Sequence, residues 1–122
     1  MKAYIIESPR ALYWHQGIVF VHPLGAAFVY ANSPGKGIVR QSVEDFCAGQ
    51  QFNVIREARG AADHLIARIG VAPRRKYDWG SWNCEHFVAW VEDGAPSSPQ
   101  VQFYVGLAAV LGLLWARSRA RG

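Results

Sequence analysis

Cysteine, methionine and charged residues are scarce in this sequence of 122 residues, which has two cysteines, one methionine and 18% charged residues. Two cysteines cannot form the four-ligand framework of a structural zinc site, and they do not indicate a disulfide scaffold. The first residues also lack the apolar core of a signal peptide. We therefore expect a reduced thiol protein that is kept on the cytoplasmic side and uses no metal or organic cofactor.

Low-complexity segments and repeats are also absent. Hydrophobic residues make up 51% of the chain and the net charge is only +4, which excludes a disordered protein and fits one compact domain. Basic residues cluster at 74–76 and again at 117–121. The pI near 9.4 is compatible with nucleic acid or anionic lipid. Because no aromatic-basic platform or recognition helix accompanies the clusters, we expect no nucleic-acid binding. The alternative for the first cluster is a solvated loop without a binding role.

The first half of the chain has the pattern of β-strands. Five short runs rich in Val, Ile, Phe and Tyr are separated by turn signals, and they lie at 3–6, 17–21, 26–31, 37–40 and 52–56. Short connections of this kind favour antiparallel pairing. Ser42 is a candidate cap for a helical turn over 42–46.

The second half has the pattern of helices. Apolar side chains at 62, 65, 66 and 69 share one helical face, and Gly70 follows as a stop. A second helix begins near Asn83 and ends at Gly94. Strands followed by helices in separate blocks predict an α+β fold, a small antiparallel sheet packed with helices.

The C-terminal segment is apolar on every side. Residues 101–116 include one polar side chain, Gln102, and three arginines follow. We therefore divide the chain into a domain over 1–100 and a hydrophobic helix with an arginine-rich end over 101–122. Such a helix must be enclosed by lipid, by a second subunit or by the domain itself. The arginines resemble a cytoplasmic membrane flank, which favours membrane association through 101–121. A homo-oligomer formed through this helix is the next alternative.

Cys84 is placed where a helix terminus affects thiol chemistry. It follows Asn83, a good N-cap residue, at the predicted start of the second helix. The positive end of the helix dipole stabilises a thiolate, so we expect a lowered pKa and a nucleophilic sulfur. The alternative is a cysteine that belongs to the apolar core.

The residues around Cys84 add a family resemblance. The string from Tyr77 to Val88, YDWGSWNCEHFV, resembles the Asn-Cys-Glu-His-Phe signature of lecithin retinol acyltransferase-like proteins. Upstream, the residues HQGI that begin at His15 resemble that family's histidine strand, and the likeness extends over roughly 3–101. It implies a circularly permuted papain-like fold and thiol chemistry on the acyl esters of glycerophospholipids. Many members also carry a hydrophobic C-terminal membrane segment.

The resemblance assigns Cys84 as nucleophile and His15 as general base, the pair that thiol acyl transfer requires. One position departs from the family pattern, because Ala31 stands where a base-orienting histidine is usual. Tyr30 and Asn32 would face the opposite side of the strand and cannot replace it. Three explanations stay open: a water or another side chain substitutes, the enzyme is a weaker dyad, or catalysis has been lost.

The remaining histidines receive structural assignments. His86 lies two positions beyond Cys84, on a different side of the helix, so we expect it to make a structural hydrogen bond. His64 is expected at the surface or in helix packing, and His22 in an exposed turn.

Three functions follow from these observations. The leading hypothesis is a thiol acyltransferase or hydrolase of the phospholipase A/acyltransferase type, which acts on lipid acyl esters at a membrane through an acyl-cysteine. The second is a thiol peptidase or amidase. The third is a catalytically silent module that associates with a membrane or a partner through its C-terminal helix.

Overall fold

The computed structural model describes residues 1–121 and has a five-stranded antiparallel sheet with four helices. The strands are β1 (Lys2–Pro9), β2 (Trp14–Val21), β3 (Ala27–Ser33), β4 (Gly37–Gln41) and β5 (Asn53–Glu57). The helices are α1 (Val43–Cys47), α2 (Ala62–Gly70), α3 (Cys84–Asp93) and α4 (Pro99–Arg121). The strand order is β4-β3-β2-β1-β5. The α+β class, the small antiparallel sheet and the C-terminal apolar helix are confirmed.

Both faces of the sheet are covered. Ile5, Ile18 and Phe20 point to one face and pack against α2 and α3. Ile6 and Val19 point to the other face and pack against α1. Alternation along the strands therefore sends neighbouring residues into two separate apolar clusters.

The residues predicted to cap the starts of helices do so in the structure. The Ser42 hydroxyl accepts a hydrogen bond from the Asp45 N–H at 3.0 Å, and Asn83 caps α3. All five strands occur, although β2 begins at Trp14 rather than at residue 17. The early part of β2 contains His15 and Gln16, whose polar side chains interrupt the apolar run that predicts a strand. Trp14 nevertheless pairs with Pro9 of β1.

Helix α4 begins two residues earlier than expected and leaves the domain. Ser98 precedes it and accepts a hydrogen bond from the Val101 N–H at 3.3 Å, with Pro99 in the first turn. None of its described side chains is buried, so the alternative of burial within the monomer is wrong. Its 23 residues span about 35 Å. By length and composition alone, α4 is long and apolar enough to cross a membrane.

Gly17 lies against buried side chains of α1 and β3 that leave no room for a Cβ atom. A Cβ atom built there would lie 2.8 Å from Phe46 Cε2 and 2.8 Å from Val29 Cγ1, both in fully buried side chains. Phe46 in turn lies flat against the ring of His15. The missing side chain of Gly17 therefore lets Phe46 hold the imidazole.

Replacement of Gly17 by alanine is expected to destabilise the fold by about 1–3 kcal/mol, because the buried neighbours must shift. Gly70→Ala is the matched control, since a Cβ there meets no atom within 4 Å. Its effect should stay within about 0.5 kcal/mol. Denaturant unfolding of both variants measures the difference, and equal midpoints would contradict the close packing at Gly17.

Candidate active site

The side chain of Asn83 organises the start of α3. Its Oδ1 accepts hydrogen bonds from the N–H groups of Glu85 at 2.9 Å and His86 at 3.0 Å. Its Nδ2 donates to the Trp79 carbonyl at 2.8 Å and to Ser98 Oγ at 3.1 Å. One amide thus satisfies two orphan N–H groups of the helix and ties the start of α3 to the preceding loop and to the start of α4.

His86 completes this cap, as its structural assignment anticipated. Its Nδ1 accepts a hydrogen bond from the Asn83 N–H at 3.0 Å, which closes a capping box. A histidine here takes the place of the usual Glu or Gln. The two histidines expected outside the site, His22 and His64, are both exposed.

Glu85 fixes the beginning of α4. Its Oε1 accepts hydrogen bonds from Ser98 Oγ at 2.7 Å and from the Gln100 N–H at 3.0 Å. The Gln100 side chain then bonds both the N–H and the carbonyl of Trp14 at 3.0 Å. The C-terminal helix is therefore attached to the strand next to the candidate base.

The Cys84 thiol is enclosed against β2. The residue is 1% exposed, and its Sγ donates a hydrogen bond of 3.8 Å to the carbonyl of Trp14. Registered pairing between β2 and β3 begins only at Ile18, so the backbone at Trp14 is open to α3 and to Gln100. The thiol thus contacts the backbone immediately before His15.

Burial decides the charge state of this thiol. It is the main cause that raises the pKa of Cys84 to about 11, and the charge of Glu85 contributes in the same direction. Hydrogen bonds from the N–H groups of Gln16 and Glu85 favour the thiolate but do not outweigh burial. The expectation of a lowered pKa at the helix terminus is therefore wrong, because the sulfur is removed from water.

His15 is also buried and neutral. It is 3% exposed, and its ring stacks on Phe46 with a centroid distance of 4.9 Å. Burial, assisted by the nearby charge of Arg10, lowers its pKa to about 4. Its Nε2 lies 3.4 Å from Ser33 Oγ, and its buried Nδ1 has no hydrogen-bond partner within residues 1–121. In the tautomer with the proton on Nε2, Nδ1 is a free base.

The two candidate groups are brought to the same part of β2 but are not hydrogen-bonded to each other. His15 alternates onto the sheet face of Val19 and Phe46, whereas α3 packs against the other face. The thiol hydrogen bond goes to Trp14 instead. The resting site therefore holds a neutral thiol and a neutral imidazole, and not the expected thiolate facing the ring.

The neighbourhood of Ala31 contains one polar partner of His15. Ala31 is fully buried in the cluster that contains Phe46. Ser33, two residues further along the same strand face, supplies the polar contact to His15. Asn32 faces the opposite side, as alternation predicted, and donates to the Trp82 carbonyl at 3.0 Å. Sequence reasoning missed Ser33, although the same period of two indicates it.

Two tyrosines complete the site and were not found from the sequence. Tyr13 and Tyr77 are half-buried and lie close enough to Cys84 for their charges to interact. Burial raises the pKa of both phenols. The Tyr13 ring stands edge-on to His15 at 6.2 Å. No local pattern marks these residues, because they reach the thiol from two separate loops.

Comparisons with known proteins give no assignment. No family model matches the chain, and searches of curated proteins and of solved structures find no significant similarity. Within the described part of the chain, no group of three or more His, Cys, Asp or Glu side chains is placed to hold a metal ion.

The lowered pKa of His15 predicts an acid-dependent loss of stability. The unfolded chain binds the proton near pH 6.5 and the folded chain only near pH 4, so the stabilisation is complete above pH 6.5. It falls as the pH drops, and the loss reaches about 3 kcal/mol. Unfolding free energies of the full chain should show this slope. His15→Gln should remove it and His22→Gln should retain it, whereas an unchanged slope in His15→Gln would refute the buried neutral imidazole.

Proposed function

We propose that the protein is a thiol-dependent acyltransferase or hydrolase that acts on the acyl esters of lipids through an acyl-cysteine at Cys84. The observation that carries this proposal is a cysteine at the first position of the capped helix α3, which contacts strand β2 directly before the buried His15. Within residues 1–121, Nδ1 of that imidazole has no hydrogen-bond partner. The lecithin retinol acyltransferase-like signature around the same two residues supports the proposal and a permuted papain-like fold.

The neutral resting state requires general-base catalysis. This scheme requires the Cys84 side chain to rotate away from the Trp14 carbonyl until its sulfur reaches His15, with which it makes no hydrogen bond at rest. Nδ1 of His15 then accepts the proton as sulfur attacks the acyl carbonyl. The tetrahedral oxyanion collapses, the carbon–oxygen bond breaks, and the imidazolium protonates the departing alcohol. Attack by an alcohol, an amine or water on the thioester then returns the thiol. The backbone N–H groups of Gln16 and Cys84, which favour the thiolate, are available to developing negative charge.

Ser33 acts as a positioning residue in this scheme. Its hydroxyl lies 3.4 Å from Nε2 of His15 and holds the ring with Nδ1 free. A hydroxyl stabilises an imidazolium less than a charged or aromatic nitrogen partner does. This arrangement favours substitution by another side chain, with weaker stabilisation of the imidazolium, over the loss of catalysis.

Exposed apolar side chains near the start of α4 support a lipid substrate. Leu12 is 84% exposed, and its carbonyl accepts a hydrogen bond from the Tyr104 hydroxyl of α4 at 3.4 Å. Trp14 and Trp79 are also exposed, and the ring of Trp79 lies 5.8 Å from that of Tyr104. Aromatic residues of this kind favour the bilayer interface at the base of a membrane helix. A lipid held there would contact Trp14, the residue whose carbonyl bonds the Cys84 thiol.

The orientation across the membrane has two alternatives. Residues 77–116 contain no lysine or arginine, whereas Arg117, Arg119 and Arg121 stand at the far end of α4. A spanning helix places the domain and these arginines on opposite sides of the bilayer. A cytoplasmic domain and a cytoplasmic arginine flank, both expected from the sequence, are therefore compatible only if α4 does not cross.

A catalytically silent module is the second candidate, favoured by the enclosed thiol and by the alanine at position 31. It would use α4 to associate with lipid or with a second copy. A thiol peptidase or amidase stays a prediction from the sequence, without a specific observation in its favour.

Turnover of phospholipid vesicles should depend on the proposed pair. Cys84→Ala should reduce turnover to background, and His15→Ala should reduce it at least about hundredfold. Ser33→Ala should lower kcat with little change in KM, because it acts through His15. Mass spectrometry should detect one acyl group on Cys84. Cys47→Ala and His22→Ala are the matched controls, and equal turnover by wild type and Cys84→Ala would exclude the mechanism.

A chain that ends after Gln100 separates the role of α4 in the same assay. It keeps the contacts of Ser98 and Gln100 with Glu85 and removes no buried side chain. This shortened chain should no longer be found in the membrane fraction and should no longer turn over lipids in vesicles. A soluble short-chain ester should still acylate it. Unchanged membrane fractionation would contradict anchoring by α4, and turnover of peptide amides alone would support the peptidase alternative.

A further inference from the structure

Two basic segments that are distant in the sequence meet in one cleft of about 400 Å³. The turn between β3 and β4 supplies Lys36 on one side, and the loop after α2 supplies Arg74, Arg75 and Lys76 on the other. Residues 74–76 are exposed in a loop, as the solvated-loop interpretation expected, and this loop faces Lys36 across the cleft. Four cationic side chains around one concave space produce a local excess of positive charge.

This charge is not neutralised by carboxylates. The ion pairs within residues 1–121 join Arg56 and Arg59 to Glu92 and Asp93, away from the cleft. Asp78 is the acidic side chain that Arg75 influences, but hydrogen bonds from Ser81 are the main cause of its lowered pKa.

The two arginines of the cleft are held by neutral groups. Arg75 donates to Ser81 Oγ at 3.3 Å and lies 5.7 Å from the Trp82 ring centroid, and Arg74 donates to the Ile69 carbonyl at 3.3 Å. These contacts restrict the guanidinium groups and leave their charge available. A restricted guanidinium loses less conformational entropy when it binds an oxyanion.

The cleft borders the candidate active site through two elements. Tyr77 lines the cleft and also interacts electrostatically with Cys84. The turn that carries Lys36 begins at Ser33, the partner of His15, and the Lys36 N–H donates to the Ser33 carbonyl at 3.1 Å. The lining of the cleft is therefore one residue removed from each of the two candidate side chains, through Tyr77 and Ser33.

We infer that this basic cleft binds the phosphate group of a phosphate-bearing acyl ester and thereby orients the ester towards Cys84. Arginine and lysine together match the tetrahedral, multiply charged oxygens of a phosphate. A volume of about 400 Å³ also leaves room for the atoms that join the phosphate to the ester. The ligand's role as substrate rests on the proposed function, whereas its binding does not.

Binding is tested on the full chain in neutral detergent micelles. Inorganic phosphate and glycerol phosphate are titrated while the backbone amide signals of Gly35, Gly37 and Tyr77 are followed by NMR. Lys36→Gln/Lys76→Gln should weaken binding at least about tenfold. Lys2→Gln/Arg40→Gln removes the same charge outside the cleft lining and should change it less than twofold. Equal weakening by both pairs of substitutions would overturn the site.

The source of the phosphate is identified by a second arm. Nanodiscs of neutral lipid are compared with nanodiscs that contain phosphatidic acid. Shifts caused by the anionic lipid but not by glycerol phosphate identify a lipid headgroup, and the reverse identifies a soluble ester. Either result supports the phosphate site, and the absence of both excludes it.

Kinetics separate this inference from the proposed function. Lys36→Gln/Lys76→Gln should raise KM about tenfold for a phosphate-bearing ester and leave the KM for an uncharged acylglycerol unchanged. Cys84→Ala should bind phosphate like the wild type. If turnover requires Cys84 but is unchanged in Lys36→Gln/Lys76→Gln, the phosphate site is wrong and the proposed function stands. Phosphate binding without any turnover would overturn the ligand's role as substrate together with the enzyme proposal.

Discussion

The side chain of Asn83 is the contact on which the site depends. It caps α3, so that Cys84 occupies the first helical position. The N–H groups of Glu85 and His86 donate to its Oδ1. From β3, Asn32 donates to the Asn83 carbonyl at 3.3 Å. The residues around the cysteine thus form a junction of a strand and two helices. Their roles are structural, and they fix the position of the sulfur without ionising it.

Two opposing effects act on that sulfur, and their magnitudes decide its chemistry. A helix terminus contributes about 1 kcal/mol at an exposed site, which is less than one unit of pKa. Burial of Cys84 raises the pKa from 9.0 to about 11 despite the neighbouring N–H groups. The same burial holds His15 neutral. An enzyme built this way must move the proton during the reaction, which makes the free Nδ1 of His15 and its partner Ser33 the critical features.

Much of the fold follows from local signals in the sequence. Alternating strands, the Ser42 and Asn83 caps and the stop at Gly94 determine the elements, whereas Gly70 is still helical and Val71 is the C-cap of α2. Period-two alternation correctly separated Asn32 from Ala31. The charge state of Cys84 could not be predicted, because burial depends on which side chains close over it. Tyr77 and the basic cleft were missed for the same reason, since loops distant in the sequence form them only in the folded chain.

The rate of Cys84 alkylation as a function of pH tests the central claim of a neutral, enclosed thiol. A Cys47→Ala background leaves one thiol, and iodoacetamide reacts with its thiolate. A pKa of about 11 predicts that the rate rises about tenfold per pH unit from about pH 7 to about pH 10 without a plateau. A plateau that begins below about pH 8 would contradict the account, because it would reveal a thiolate already formed at the helix terminus.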